Sequence, residues 1–227
     1  AQEGRNLIVV DAIDDENLLA IGAAAKDLQL VTGSSGVAKG LPANFFKSGM
    51  LARTKIEWKG QQGRCAVLSG SCSKATRLQI ATHAGNEMQY ELDVAAVMRD
   101  EVSVNKLVSW LLAQNGVPML YSSASPELVK SVQAEFGVNA VAAKLDQMFG
   151  EIATLLVDAG IERLIVAGGE TSGAVVEALA LNILSIGPEI DPGVPAMRAG
   201  KTLTLALKSG NFGADNFFQK AASVLAG

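Results

Sequence analysis

The chain has 227 residues, 49% of them apolar and 19% charged, with a formal net charge of -4. That is length for one large domain, or one domain with part of a second, and enough apolar side chain to fill a core. No run of Lys or Arg occurs, which excludes the electrostatic footprint of a nucleic-acid binder or of an anionic membrane surface.

A single histidine, His83, rules out a His-rich metal centre. Two cysteines, Cys65 and Cys72, are too few for a disulfide framework, so a reducing cytoplasm is the expected setting. No apolar stretch is long enough to span a bilayer, and the first residues carry no basic-then-apolar signal pattern.

In chain order, Leu7–Asp11 reads as a buried strand and Asp14–Lys26 as an amphipathic helix carrying Leu18, Leu19 and Ala23. Leu28–Thr32 reads as a second strand, and Val37–Leu41 as a short helix stopped by Pro42. From Phe46 to Gly63 the periodicity fails, which predicts a domain boundary. The alternation resumes with a strand at Cys65–Ser69, a helix at Ser73–Ala84, a short strand at Met88–Leu92 and a helix at Val102–Gln114. A strand at Pro118–Ser122, a helix from Pro126 and a long helix at Val141–Gly160 follow. The last elements are strands at Arg163–Ala167, Leu184–Gly187 and Thr202–Leu207, with helices at Ser172–Leu181 and Asp215–Ala226. Strands alternating with helices of this length predict an α/β fold: a mostly parallel, Rossmann-like sheet with helices on both faces.

In such sheets ligands bind beyond the carboxyl ends of the strands, and three strand ends run into glycine-rich turns. The first carries Ser69, Gly70, Ser71, Cys72 and Ser73, where small residues and hydroxyls let an anion approach backbone N–H groups. Ser71 or Ser73 also suits a plain helix N-cap. The second carries Gly168, Gly169, Glu170, Thr171 and Ser172, with paired glycines able to expose N–H groups. Glu170 suits a magnesium-bound water, a ribose, or simply the start of a helix. The third carries Lys208, Ser209, Gly210, Asn211, Phe212 and Gly213. Lys208 offers a point charge to a phosphate, Gly210 a close backbone approach, and Phe212 reads as a core plug.

Neither a Gly-x-x-x-x-Gly-Lys-Ser/Thr loop nor a Gly-x-Gly-x-x-Gly fingerprint is present, so dinucleotide binding has no positive support. The segment from Gly187 to Pro195 holds Pro188, Pro192 and Pro195 and reads as a stiff loop. Cys72 near a helix start, without a neighbouring histidine, reads as an unreactive thiol.

Together the turn at Ser69–Ser73 with Thr76 and Gln79, the Gly168–Gly173 turn, the Gly187–Pro195 loop and the Lys208–Gly213 turn resemble motifs of the four-carbon acid sugar kinase family. The match runs in order over about residues 65–220. That family includes 3-oxo-tetronate, D-threonate and D-erythronate kinases, and some members carry an effector label. The resemblance implies a two-domain enzyme about twice this length, with an N-terminal sugar-acid domain and a C-terminal ATP domain.

It implies ATP and Mg²⁺ as cofactors and a small sugar acid as substrate. Nucleotide contacts are expected at Ser69, Ser71, Gly168, Gly169, Glu170, Thr171, Lys208 and Gly210, with no protein metal cluster. The family's Asp-Asp-x-Thr-Gly motif is absent, and Asp14-Asp15-Glu16 does not replace it. Residues 1–52 are therefore expected to be the end of the sugar-acid domain, residues 60–227 the nucleotide-binding domain, and the base that orients the attacking hydroxyl to lie elsewhere. The sequence leaves the oligomeric state open, with a homodimer as one reading. The rival reading is a non-catalytic nucleotide-binding or effector-type interaction module.

Overall fold

A computed structural model of the chain describes residues 9–52, 57–85, 87–122 and 126–227. The chain divides into two compact units, Ala1–Ile56 and Glu57–Gly227.

The described part of the first unit contains α1 (Asp15–Ala24), a 3₁₀ helix (Ser35–Gly40) and α2 (Pro42–Lys47). Asp14 caps α1 by accepting a hydrogen bond from the Asn17 N–H at 2.8 Å. Gly22 and Gly40 cross so closely that a Cβ on Gly22 would lie 2.2 Å from the Gly40 carbonyl carbon. Neither strand expected here forms among the described residues: 9–11 and 28–32 are irregular, and Leu7 and Ile8 lie outside the described residues. The physical reason is that a β-run needs a hydrogen-bonding neighbour, and no second strand within the described part of this unit supplies one.

The second unit holds one seven-stranded sheet. Its strands are β1 (Arg64–Ser69), β2 (Gln89–Glu91), β3 (Met119–Tyr121), β4 (Ile161–Ala167), β5 (Ser185–Asp191), β6 (Val194–Ala199) and β7 (Leu203–Lys208), in spatial order β2-β3-β1-β4-β7-β6-β5. The five strands from β2 to β7 in that order pair parallel, while β5–β6 and β6–β7 are antiparallel. The helices are α3 (Lys74–Ala84), α4 (Val94–Met98), α5 (Val104–Ala113), α6 (Pro126–Phe136), α7 (Val138–Asp158), α8 (Gly169–Ala178) and α9 (Phe217–Ala226).

Side-chain alternation along the strands feeds two cores. Ala66 and Leu68 of β1 point to the face where Leu107 and Leu111 of α5, Phe149 and Ile152 of α7 and Val175 of α8 pack. Cys65 and Val67 point to the opposite face, against Ile80 of α3 and Phe217, Phe218 and Ala221 of α9. Helices therefore cover both faces, as the alternating pattern predicts. Among the described residues no helix is long and apolar enough to cross a membrane.

This wiring creates a switch point. From β1 the chain leaves through α3, on one face, toward the β2 edge; from β4 it leaves through α8, on the other face, toward β5 and β7. The two strands are neighbours, so their outgoing connections diverge and leave a crevice at their carboxyl ends.

The Gly187–Pro195 segment is not a loop but most of a β-hairpin. Asp191 pairs with Val194 around Pro192 and Gly193, and Gly193 takes the turn's left-handed conformation at φ 79°. Pro188 is tolerated because β5 is an edge strand with irregular register on either side of Glu189. The short helix α4 also went unpredicted; Asp93 starts it by accepting from the Ala95 and Ala96 N–H groups.

Candidate functional site

The three glycine turns meet at this crevice because the register of the parallel strands puts their last residues side by side. Ser69 of β1 is level with Ala167 of β4, and Ala167 is level with Lys208 of β7. The ladder continues one step past the strands: the Gly70 N–H donates to the Ala167 carbonyl and the Gly168 N–H to the Lys208 carbonyl, each at 2.9 Å. On the other side the Ser122 N–H donates to the Ser69 carbonyl at 2.9 Å.

Glycine is what allows the turns to touch. A Cβ on Gly70 would stand 2.2 Å from Thr171 Oγ1, and one on Gly210 would stand 2.5 Å from Ser71 Oγ. Gly168 has φ 123°, a conformation that side chains rarely adopt, and a Cβ there would stand 3.3 Å from the Ser71 nitrogen. First touches second, and first touches third.

The two helices that start at the crevice differ in how they are capped. At α3, Ser73 Oγ accepts from the Thr76 N–H at 3.1 Å, so one of its first N–H groups is already taken. At α8 the N-cap is Gly168, and no side chain caps the helix. The opening N–H groups of α8, from Gly169 through Thr171, have no carbonyl one turn back to bond. Gly169 and Glu170 are exposed, while Thr171 is buried beside Gly70. This is the geometry of an anion site, with the partial positive charge of the helix start behind it.

Ser69 and Lys208 lie beneath the rim rather than on it. Ser69 is wholly buried at the end of β1. Lys208 is 1% exposed, and its ammonium donates to Thr76 Oγ1 at 2.9 Å, to the Gly210 carbonyl at 3.2 Å and to the Ser209 carbonyl at 3.3 Å. The Lys208 charge is thus directed at the Thr76 hydroxyl and at two carbonyls of its own turn. Burial pushes the Lys208 ammonium down to about 8.

The same turn is held from two more sides. Thr76 Oγ1 and Ser73 Oγ both contact the Gly210 carbonyl, at 2.9 and 2.5 Å. Gln79 Nε2 lies 2.9–3.0 Å from the carbonyls of Phe212, Gly213 and Ala214. From the hairpin, Asp191 Oδ2 accepts from the Ala214 N–H at 2.9 Å, and Lys220 pairs with its other oxygen. Burial alone would raise the Asp191 carboxyl, yet Lys220 and Ala214 together hold it below the ordinary carboxylate value. Phe212 packs against the α9 core and so serves as the plug the sequence suggests.

Beside the first two turns a cleft of about 170 Å³ opens between Gly70, Ser122 and Thr171 on one side and α6 and α7 on the other. Asp146 of α7 lines it, 3.5 Å from Thr171 Oγ1. Burial and the nearby Glu170 charge push the Asp146 carboxyl above its ordinary value, and the Thr171 hydroxyl works the other way. Sequence reasoning missed Asp146. The available signal was a carboxylate directly after Leu145 on a helix whose Val141, Met148 and Phe149 are buried.

A doubly wound α/β domain that gathers glycine turns and an uncapped helix start at its switch point is an anion-binding domain of nucleotide type. The chain belongs to the family of nucleotide-binding C-terminal domains, whose model matches residues 66–218. It is 40% identical over 228 residues to the 3-oxo-tetronate kinase of Brucella melitensis, covering 98% of this chain and 52% of that protein. It is 43% identical over 229 residues to the 3-oxo-tetronate kinase of Pseudomonas fluorescens, covering 99% of this chain and 53% of that one. The crystal structure of a Haemophilus influenzae protein superposes with a TM-score of 0.75 at 34% identity, over 96% of this chain and 53% of that one. The acid sugar kinase resemblance read from the turns is thus met by the names of these curated relatives. The chain spans about half the length of the curated relatives it matches.

Two predictions follow from the packing of the turns. Gly70→Ala forces its Cβ into the Thr171 hydroxyl and is expected to cost about 1–3 kcal/mol, as overpacking does, in urea unfolding. Gly169→Ala, with nothing within 4 Å of its Cβ, is expected to change stability by less than about 0.5 kcal/mol. For Lys208, the folded value near 8 lies below the unfolded 10.5, so across that window the unfolded chain binds more protons. The unfolding free energy of the parent chain minus that of Lys208→Met is expected to rise as pH increases from about 8 to 10; urea titrations at both values check the sign.

Proposed function

We propose that this chain is the ATP-binding half of a kinase that phosphorylates a hydroxyl of a small four-carbon sugar acid. The observation that carries the reading is the convergence of Ser71, Gly168–Thr171 and Gly210 at one switch point. The names of relatives about 40% identical supply the substrate class.

In this reading the opening N–H groups of α8 and the backbone of the turns at Ser71 and Gly210 cradle the phosphates. Glycine at 168 and 210 lets the second and third turns pack against Ser71 of the first, where a Cβ would collide. Thr171 holds the second turn against the first, and Lys208, from below, keeps the third turn in shape. Phosphoryl transfer asks a protein mainly for positioning and charge neutralisation, so rigid backbone donors are the chemistry this half has to supply. The acid's attacking hydroxyl and the base that orients it belong to the other half of the proposed enzyme.

Mg²⁺ fits here as an ion carried chiefly by the phosphates. Among the described residues no cluster of three or more His, Cys, Asp or Glu side chains could cage a metal. Mg²⁺ in nucleotide sites commonly keeps waters and takes only one or two carboxylates besides phosphate oxygens. Glu170, exposed in the first turn of α8, is the carboxylate at that rim. When bound, the ion would neutralise charge on the phosphates. Cys65 and Cys72 are free thiols, which supports placing the protein in a reducing cytoplasm.

Isothermal titration of the folded chain with ATP and Mg²⁺ tests the reading. Saturable heat at or below millimolar nucleotide, weakened at least tenfold when EDTA removes the metal, is the expected result. A folded chain that releases no binding heat at millimolar ATP with Mg²⁺ would refute it.

A further inference from the structure

The phosphate cradle leaves open where the rest of the nucleotide lies, and the cleft beside the first two turns has features the cradle does not use. Its far wall is apolar, built from Val129 and Val132 of α6 and Val141, Ala142 and Leu145 of α7. Its near end is polar. Asp146 faces Thr171 there, and Ser122 directly follows β3. Ser122 is 4% exposed, and its hydroxyl has no hydrogen-bond partner among the described residues. A buried hydroxyl without a partner is uncommon in a folded protein and marks a place where a ligand atom would be gained rather than displaced.

The lining offers the three kinds of surface a nucleoside triphosphate needs. Apolar side chains from α6 and α7 suit the faces of a heteroaromatic base. Asp146 and Ser122 suit hydroxyls that need acceptors. Asp146 approaches Thr171, and Thr171 packs against Gly70, so this polar part of the lining adjoins the turns assigned to the phosphates. A carboxylate there accepts hydrogen bonds from ribose hydroxyls.

We propose that this cleft is the nucleoside pocket, with the base against Val132, Ala142 and Leu145 and the ribose hydroxyls hydrogen-bonded to Asp146 and Ser122. The assignment rests on the ATP-binding reading above and goes further, by naming the side chains that make the site prefer a nucleotide over a bare polyphosphate. Asp146 is then a binding residue for the sugar, placed by its contact with Thr171, and has no part in the transfer step.

The test measures affinities of ATP, 2′,3′-dideoxy-ATP and tripolyphosphate, all with Mg²⁺, for the parent chain, Ala142→Trp and Asp146→Ala. Far-ultraviolet dichroism and melting of each variant accompany the titrations. Ala142→Trp fills the apolar end and is expected to weaken ATP at least tenfold while leaving tripolyphosphate unchanged. Asp146→Ala is expected to weaken ATP about fivefold or more and to leave dideoxy-ATP unchanged. If Trp at position 142 unfolds the chain, Ala142→Leu adds less bulk and is expected to shift ATP affinity in the same direction.

Equal binding of ATP and tripolyphosphate by the parent chain overturns the pocket while leaving the phosphate cradle standing. So does an equal effect of Ala142→Trp, or of Ala142→Leu in its place, on both ligands, or no effect on either. Equal loss of ATP and dideoxy-ATP in Asp146→Ala removes the ribose contact. A folded parent chain that binds neither ATP nor tripolyphosphate overturns both readings together.

Discussion

Everything proposed for this protein depends on the register of three parallel strands. Ser69, Ala167 and Lys208 end β1, β4 and β7 at one level, and backbone hydrogen bonds from Gly70 and Gly168 carry that level into the turns. A slip of one residue in either pairing would move a turn along its strand and reverse every side chain behind it. The two cores prevent such a slip, because Val67 and Ile165 must face α9 while Leu68 and Val166 must face α7. Packing on both faces thus fixes where backbone donors stand at the sheet's end.

The third turn shows how such a site is kept rigid without carrying charge on its surface. One buried ammonium, two hydroxyls and one carboxamide, from Lys208, Ser73, Thr76 and Gln79, all serve its carbonyls. Asp191 ties its far end to α9 through Lys220. With carbonyls occupied from below, the turn is set in advance, and a ligand need not order it on arrival. Burying an amine this deeply opposes its charge, which is why Lys208 titrates near 8. The stabilising return is a loop whose carbonyls are already bonded within the protein.

Much of this was legible in the sequence, and the reasons are local. Strands such as Arg163–Ala167 are short apolar runs, and helices such as Val104–Ala113 have a strong apolar stripe, so period alone located them. The glycine turns were legible because small residues and hydroxyls follow three separate strand ends, although each turn alone also suits a plain helix start, as Ser73 shows by capping α3. The β5–β6 hairpin was not, since Pro188, Pro192 and Pro195 argue locally for a loop; the fold takes Pro188 on the edge strand, Pro192 in the turn and Pro195 just before β6 begins to pair with β7 at Ala196. Asp146 was illegible for another reason. Its significance comes from Thr171 and Ser122, residues brought to it by the fold from distant parts of the chain. The hydrogen bonds of Lys208 to Thr76 and to its own turn were also illegible, because a sequence shows that a charge is present but not which way it points.

The central claim is that sequence-distant turns act as one nucleotide site. Amide hydrogen exchange with and without ATP and Mg²⁺ tests it most directly. Slowed exchange should appear together at 70–73, 168–172 and 210–213, with the outer hairpin around Gly193 unaffected. Slowing confined to a single turn, or spread evenly over the sheet, would contradict the account.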